Sequence, residues 1–110
     1  MAVSKITPIK ITEMVNRIVE QFEPEKIILF GSYARGTAGP DSDADLLVVM
    51  PVEGSKRKLA TEIDLALFGI DMPADIVVVT PEELESQKDV MGTFVHPAVR
   101  EGHVVYEREP

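Results

Sequence analysis

The chain has 110 residues, a formal net charge of -8, 45% hydrophobic residues and no cysteine. That length suits one compact domain over residues 1–110, without room for a separate substrate domain. Lack of cysteine excludes disulfides and thiolate metal sites and fits a reducing cytoplasm. The acidic balance argues against direct nucleic-acid binding, which rests on Lys and Arg, and no apolar run approaches the ~20 residues needed to cross a bilayer.

Met1 to Lys5 carry no strong signal, and no apolar core follows the early lysines, so a signal peptide is not expected. Thr7-Pro8 reads as a helix start, with Thr7 as N-cap and Pro8 in the first turn. Ile11, Met14, Val15, Ile18, Val19 and Phe22 recur every three or four residues. This spacing predicts an amphipathic core-packing helix that ends near Phe22 and is closed by Pro24. Lys26 to Phe30 predicts a short buried strand, stopped by Gly31-Ser32, after which Tyr33-Ala34-Arg35 could begin a helical turn. Thr37 to Ser42 reads as a loop, and Ala44 to Met50 as a second strand stopped by Pro51.

Ser55 can cap a helix to Phe68, with Leu59, Ile63, Ala66 and Leu67 on its apolar side. Lys56, Arg57 and Lys58 at its start oppose the helix dipole. They read either as a solvated first turn or as a site for something anionic. Ala74 to Thr80 is nearly continuous in β-branched residues and predicts a central third strand. Thr80-Pro81-Glu82-Glu83 carries the signature of a capping box. The helical stretch that follows is weaker, broken by Gly92 and Pro97. Val95, Ala98 and Val99 predict a last helix ending at Arg100 with Gly102 as its C′ residue, and His103 to Tyr106 a fourth short strand.

These elements predict an α+β fold: a mixed, twisted sheet of about four strands with helices packed on it. The stretch of most chemical interest is Gly31 to Val49, GSYARGTAGPDSDADLLVV. Asp43 and Asp45, at i and i+2 on an extended chain, point to one face. Such a pair repels itself unless a cation sits between the two carboxylates. For them to meet Gly31-Ser32, the first two strands must be antiparallel. A helical connection makes the second and third strands parallel, which brings Asp75 beside the pair. Three carboxylates can hold two Mg²⁺ ions, which suits in-line phosphoryl displacement. Gly31 lets a phosphate approach the backbone, Ser32 can donate its hydroxyl, and Asp75 could take a proton from an attacking hydroxyl.

Gly31-Ser32, ten further residues and Asp43-Ala44-Asp45 together resemble the signature of the DNA polymerase β-like nucleotidyltransferases. More closely, the block GSYARG…SDADLLVV, with ADIVVV and EGHVVYE, is similar to the minimal nucleotidyltransferase (MNT) family over roughly Ile11 to Tyr106. The resemblance implies the nucleotidyltransferase fold. It implies Asp43, Asp45 and Asp75 as catalytic metal ligands, with Gly31 and Ser32 holding the triphosphate of ATP. Arg35 falls within the motif and either pairs with phosphate or braces the loop. The resemblance further implies a Mg²⁺-dependent antitoxin that moves AMP from ATP onto a tyrosine of a small all-helical HEPN-type toxin. Two alternatives stand beside it: a non-catalytic subunit that masks a helical partner, and transfer to a small molecule such as an aminoglycoside.

Asp41, Asp43 and Asp45 also imitate the start of a calcium-binding EF-hand loop. The positions requiring Gly and Glu there are Leu46 and Val52, so that reading fails. Asp71 competes with Asp75 as third acid but precedes Met72-Pro73 and reads as loop punctuation. Ser42 reads as a turn residue, with a phosphate contact left open by the motif; Tyr33 reads as packing beside the turn ahead of a stack for a base, and Tyr106 as an edge-strand residue. His96 and His103 lack a second ligand at useful spacing and read as surface or packing residues.

Overall fold

A computed structural model describes residues 8–109. The four strands are β1 (Lys26–Phe30), β2 (Ala44–Val49), β3 (Ala74–Val79) and β4 (His103–Glu107), in the order β3-β2-β1-β4. β1 runs antiparallel to β2 and β4, and β2 runs parallel to β3. The helices are α1 (Ile9–Phe22), the single turn α2 (Ser32–Arg35), α3 (Lys56–Ala66), α4 (Pro81–Gln87) and α5 (Val95–Glu101). The sheet is mixed and carries helices on both faces, an α+β architecture.

Strand alternation divides the core in two. Ile27, Leu29, Leu46, Val48 and Val78 point to one face and pack on Ile11, Met14, Val15 and Ile18 of α1 and Ile63 of α3. Ile28, Leu47, Val49 and Val79 point to the other and pack on Leu84 of α4 and Val95 and Ala98 of α5. The spacing read for α1 is therefore its buried stripe, with Ile11, Met14, Val15 and Ile18 fully enclosed. Pro8 occupies the N-cap position of α1; the cap expected at Thr7 lies outside the described residues.

Three expectations need correction. β3 is an edge strand, not a central one. Its β-branched run reflects helices on both faces: Ile76 and Val78 meet the α1/α3 side, Val77 and Val79 the α4/α5 side. Pattern along a strand reports what covers its faces and says nothing of its lateral neighbours. Pro97 does not break the last helix. It is the third residue of α5, where its missing N–H costs no intrahelical bond. Gly102 is not a left-handed C′ residue: it is the C-cap, with extended φ -83° and ψ 171°. It is glycine for space, because a Cβ there would stand 2.3 Å from the Ala98 carbonyl oxygen and 2.8 Å from that of Leu29.

The predicted capping box of α4 is present. Glu83 N–H donates to Thr80 Oγ1 (3.1 Å) and Thr80 N–H donates to Glu83 Oε1 (2.9 Å). Lys56, at the start of α3, forms an ion pair with the same Glu83. The Lys56 hydrogen bond, then the Thr80 backbone, hold the Glu83 carboxyl below its ordinary pKa.

Candidate functional site

The site is built where β1 ends and β2 and β3 begin. Phe30 stands opposite Asp45 in the antiparallel register, and Asp45 stands opposite Asp75 in the parallel one. Partners in register share a face, so Phe30, Asp45 and Asp75 line one end of the sheet on its α4/α5 side. Asp43 precedes β2 and is exposed. Its segment is anchored by the next residue, whose Ala44 N–H donates to the Pro73 carbonyl at 2.9 Å. The loop before it is closed by Ser42, whose Oγ accepts from Gly39 N–H at 2.8 Å. The turn reading of Ser42 is therefore right.

Gly31 has φ 75° and ψ -152°, a region that essentially only glycine occupies. This geometry reverses the chain from β1 into α2. It also brings the Gly31 backbone against Asp45: a Cβ at Gly31 would lie 2.1 Å from Asp45 Oδ2. α2 closes at Gly36, again left-handed (φ 77°). Asp45 has a pKa raised above the ordinary carboxylate range, first by burial, then by the charges of Asp75 and Asp43, with Arg35 working against them. Three acids and one guanidinium thus feel one another at a single sheet end. Asp71 does not join them; it faces Lys10 at 3.6 Å on the surface.

The residues fit a bound divalent cation in a particular way. Mutual repulsion raises the cost of ionising Asp45, and a cation would remove it. Among the described residues, however, no three acid, histidine or cysteine side chains are drawn together tightly enough to hold an ion alone. Mg²⁺ characteristically takes one or two carboxylates and completes its shell with water and substrate phosphates.

The sequence did not reveal how α2 is held. Arg35 Nη1 donates to Glu101 Oε1 of α5 at 3.3 Å, a half-exposed pair. His103 Nε2–H donates to the Ala34 carbonyl at 3.0 Å. Both partners lie nearly 70 residues away in the chain and arrive because β4 pairs with β1, with His103 opposite Leu29. The sequence reads His103 as a surface or packing residue; it is exposed, and this hydrogen bond ties it to α2. The cations at the start of α3 are far from the acids. They follow the other end of β2, about 17 Å away at ~3.4 Å per residue. They cannot serve this site. A larger cavity of about 460 Å³, lined by Glu25, Lys26, Leu84, Glu107 and Arg108, lies at that opposite end too.

The fold is that of a nucleotidyltransferase. A candidate nucleotidyltransferase from Sulfolobus solfataricus superposes with a TM-score of 0.63 at 21% identity, over 90% of this chain and 78% of that one. A chain of a toxin–antitoxin complex with AMP-PNP superposes with a TM-score of 0.56 at 22% identity, over 89% and 73%. The chain belongs to the nucleotidyltransferase domain family, which it matches over residues 11–96. It is a nucleotidyltransferase, consistent with the MNT resemblance of its motif. A candidate protein adenylyltransferase of Methanocaldococcus jannaschii is 36% identical to it over 99 residues, 87% of this chain and 94% of the relative.

Proposed function

We propose that this nucleotidyltransferase moves AMP from ATP to a hydroxyl on a partner protein. Its relative is named for adenylyl transfer to protein, and structural neighbours come from toxin–antitoxin complexes. In this reading the chain is a cytoplasmic antitoxin, and the acceptor is a tyrosine of a small all-helical HEPN-type toxin. Among the described residues no helix is long and apolar enough to cross a membrane, as this reading requires. The observation that carries it is the register that sets Asp45 beside Asp75, with the Gly31 backbone against Asp45.

In this account Asp43, Asp45 and Asp75 would hold Mg²⁺, and the ion would neutralise the triphosphate charge. The Gly31-Ser32 turn presents backbone N–H groups and the Ser32 hydroxyl to the phosphates, with Arg35 adding positive charge. Asp75, on the exposed edge strand, meets the incoming hydroxyl and takes its proton. The acceptor oxygen then bonds to the α-phosphorus. The bond from that phosphorus to the α,β-bridging oxygen breaks, and pyrophosphate leaves on the Gly31 side. An edge position for the base suits an acceptor delivered by a second protein.

The test uses ATP labelled at the α-phosphate and the protein purified with its native partner. Label is expected on the partner, with release of pyrophosphate and loss of both in Asp43→Ala. A partner neutralised equally by wild type and Asp43→Ala, without label, identifies a masking subunit instead.

A further inference from the structure

On the side of Gly31 away from Asp75 lies a second cavity, about 340 Å³, bounded by Phe30, Phe94, Pro97 and Ala98, with Arg35 and Glu101 at its rim. Its lining is mainly apolar, and its volume is at the lower end for small-molecule sites, about 300–1,000 Å³. Gly31 forms part of its lining, and the backbone of the same residue lies against Asp45. Phe30 and Phe94 meet edge to face, ring centroids 5.4 Å apart and planes at 80°. Phe94 nevertheless remains 47% exposed. Burying an aromatic ring is favourable, so a half-exposed ring on the wall of an apolar cleft beside a charged site suggests an unfilled stacking surface.

We propose that this cleft between the end of β1 and α5 seats the base of the nucleotide, with Phe94 as its stacking surface. This rests on the nucleotidyl-transfer reading above. The phosphates need charge and backbone N–H groups, which Gly31, Ser32 and the acids provide; the base needs a flat apolar wall, which Phe94, Phe30 and Pro97 provide. An acceptor side chain fits the cleft less well. The proposed proton acceptor Asp75 is on the edge strand β3, and β2 lies between it and the cleft wall β1. The half-exposed Arg35–Glu101 pair borders the cleft on its Gly31 side.

Calorimetry with ATP and with inorganic tripolyphosphate, both with magnesium, separates base from phosphate contributions. Wild type is expected to bind ATP more tightly than tripolyphosphate. Phe94→Ala should weaken ATP about tenfold, the scale of losing one base–aromatic stack, and leave tripolyphosphate unchanged. Phe94→Tyr should retain both affinities. Unchanged ATP affinity in Phe94→Ala overturns the proposal, as does a variant that loses only its affinity for the protein acceptor, which would make the cleft the acceptor's seat. Equal loss of both ligands would show a general effect on the fold and also overturns it. Failure of wild type to bind either ligand removes the nucleotidyl-transfer reading itself.

Discussion

At Gly31 backbone and side-chain chemistry cannot be separated. Its φ of 75° disfavours any other residue, and the Asp45 carboxylate fills the space where a Cβ would go. Gly31→Ala should therefore do two things. It should cost about 1–3 kcal/mol in stability, because the Gly31 backbone region is essentially closed to other residues. It should also displace Asp45, and a misplacement of ~1 Å can lower a rate about 100-fold. Urea unfolding and single-turnover transfer measure these separately. A variant that loses stability but keeps its rate would show that Asp45 does not need its present position. Asp45 itself gives a pH prediction. Its pKa is raised in the folded protein, so the stability linked to its proton is present at low pH and lost as pH rises through the raised value. Metal-free Asp45→Asn should be more stable than wild type at neutral pH, and the difference should vanish below about pH 3. Thermal unfolding across that range checks the sign; a neutral-pH loss of stability in the variant would contradict it.

At the scale of elements, the strand–helix order was readable because each local signal had a local cause. β1 was bounded by Pro24 and Gly31-Ser32, α4 announced itself by its capping box, and α1 by its buried stripe. The meeting of Asp45 and Asp75 followed from connection rules alone: a helical crossover gives parallel neighbours, and parallel strands align their starts. What the sequence hid depends on lateral order and long-range pairing. Periodicity could not show that β3 lies at the edge, because a strand covered on both faces looks the same in either position. Nor could it show that β4 returns beside β1 and brings Glu101 and His103 to α2. Gly102 shows the same limit. A glycine after a helix suggests a left-handed cap, yet here it permits α5 to turn tightly onto β1. Gly102→Ala would place a methyl group against two backbone carbonyls and the Ile28 side chain. A loss of about 1–3 kcal/mol in chemical unfolding is expected, as for overpacked cores. No measurable change would mean that α5 can move off β1 freely.

At the scale of the molecule, the groups of the candidate site gather at one end of the sheet. The apolar cleft beside α5, the Gly31 turn, Asp45 and the edge acid Asp75 follow one another across β1, β2 and β3. A nucleotide laid along that line would have its base under α5 and its reacting phosphate toward the exposed edge. The chain's net charge of -8 and the acids around Asp45 disfavour a bare polyanion here, so the proposed triphosphate would arrive with a neutralising cation. In the proposed reading, dependence of nucleotide binding on a divalent ion is the central consequence of placing Asp43, Asp45 and Asp75 together. The direct measurement is calorimetric titration of ATP into wild type, Asp45→Asn and Asp75→Asn, with magnesium and with EDTA. Convergence of the acids predicts binding to wild type only with magnesium, weakened about tenfold or more by either substitution. Equal ATP affinity in all three proteins, or affinity untouched by EDTA, would contradict it.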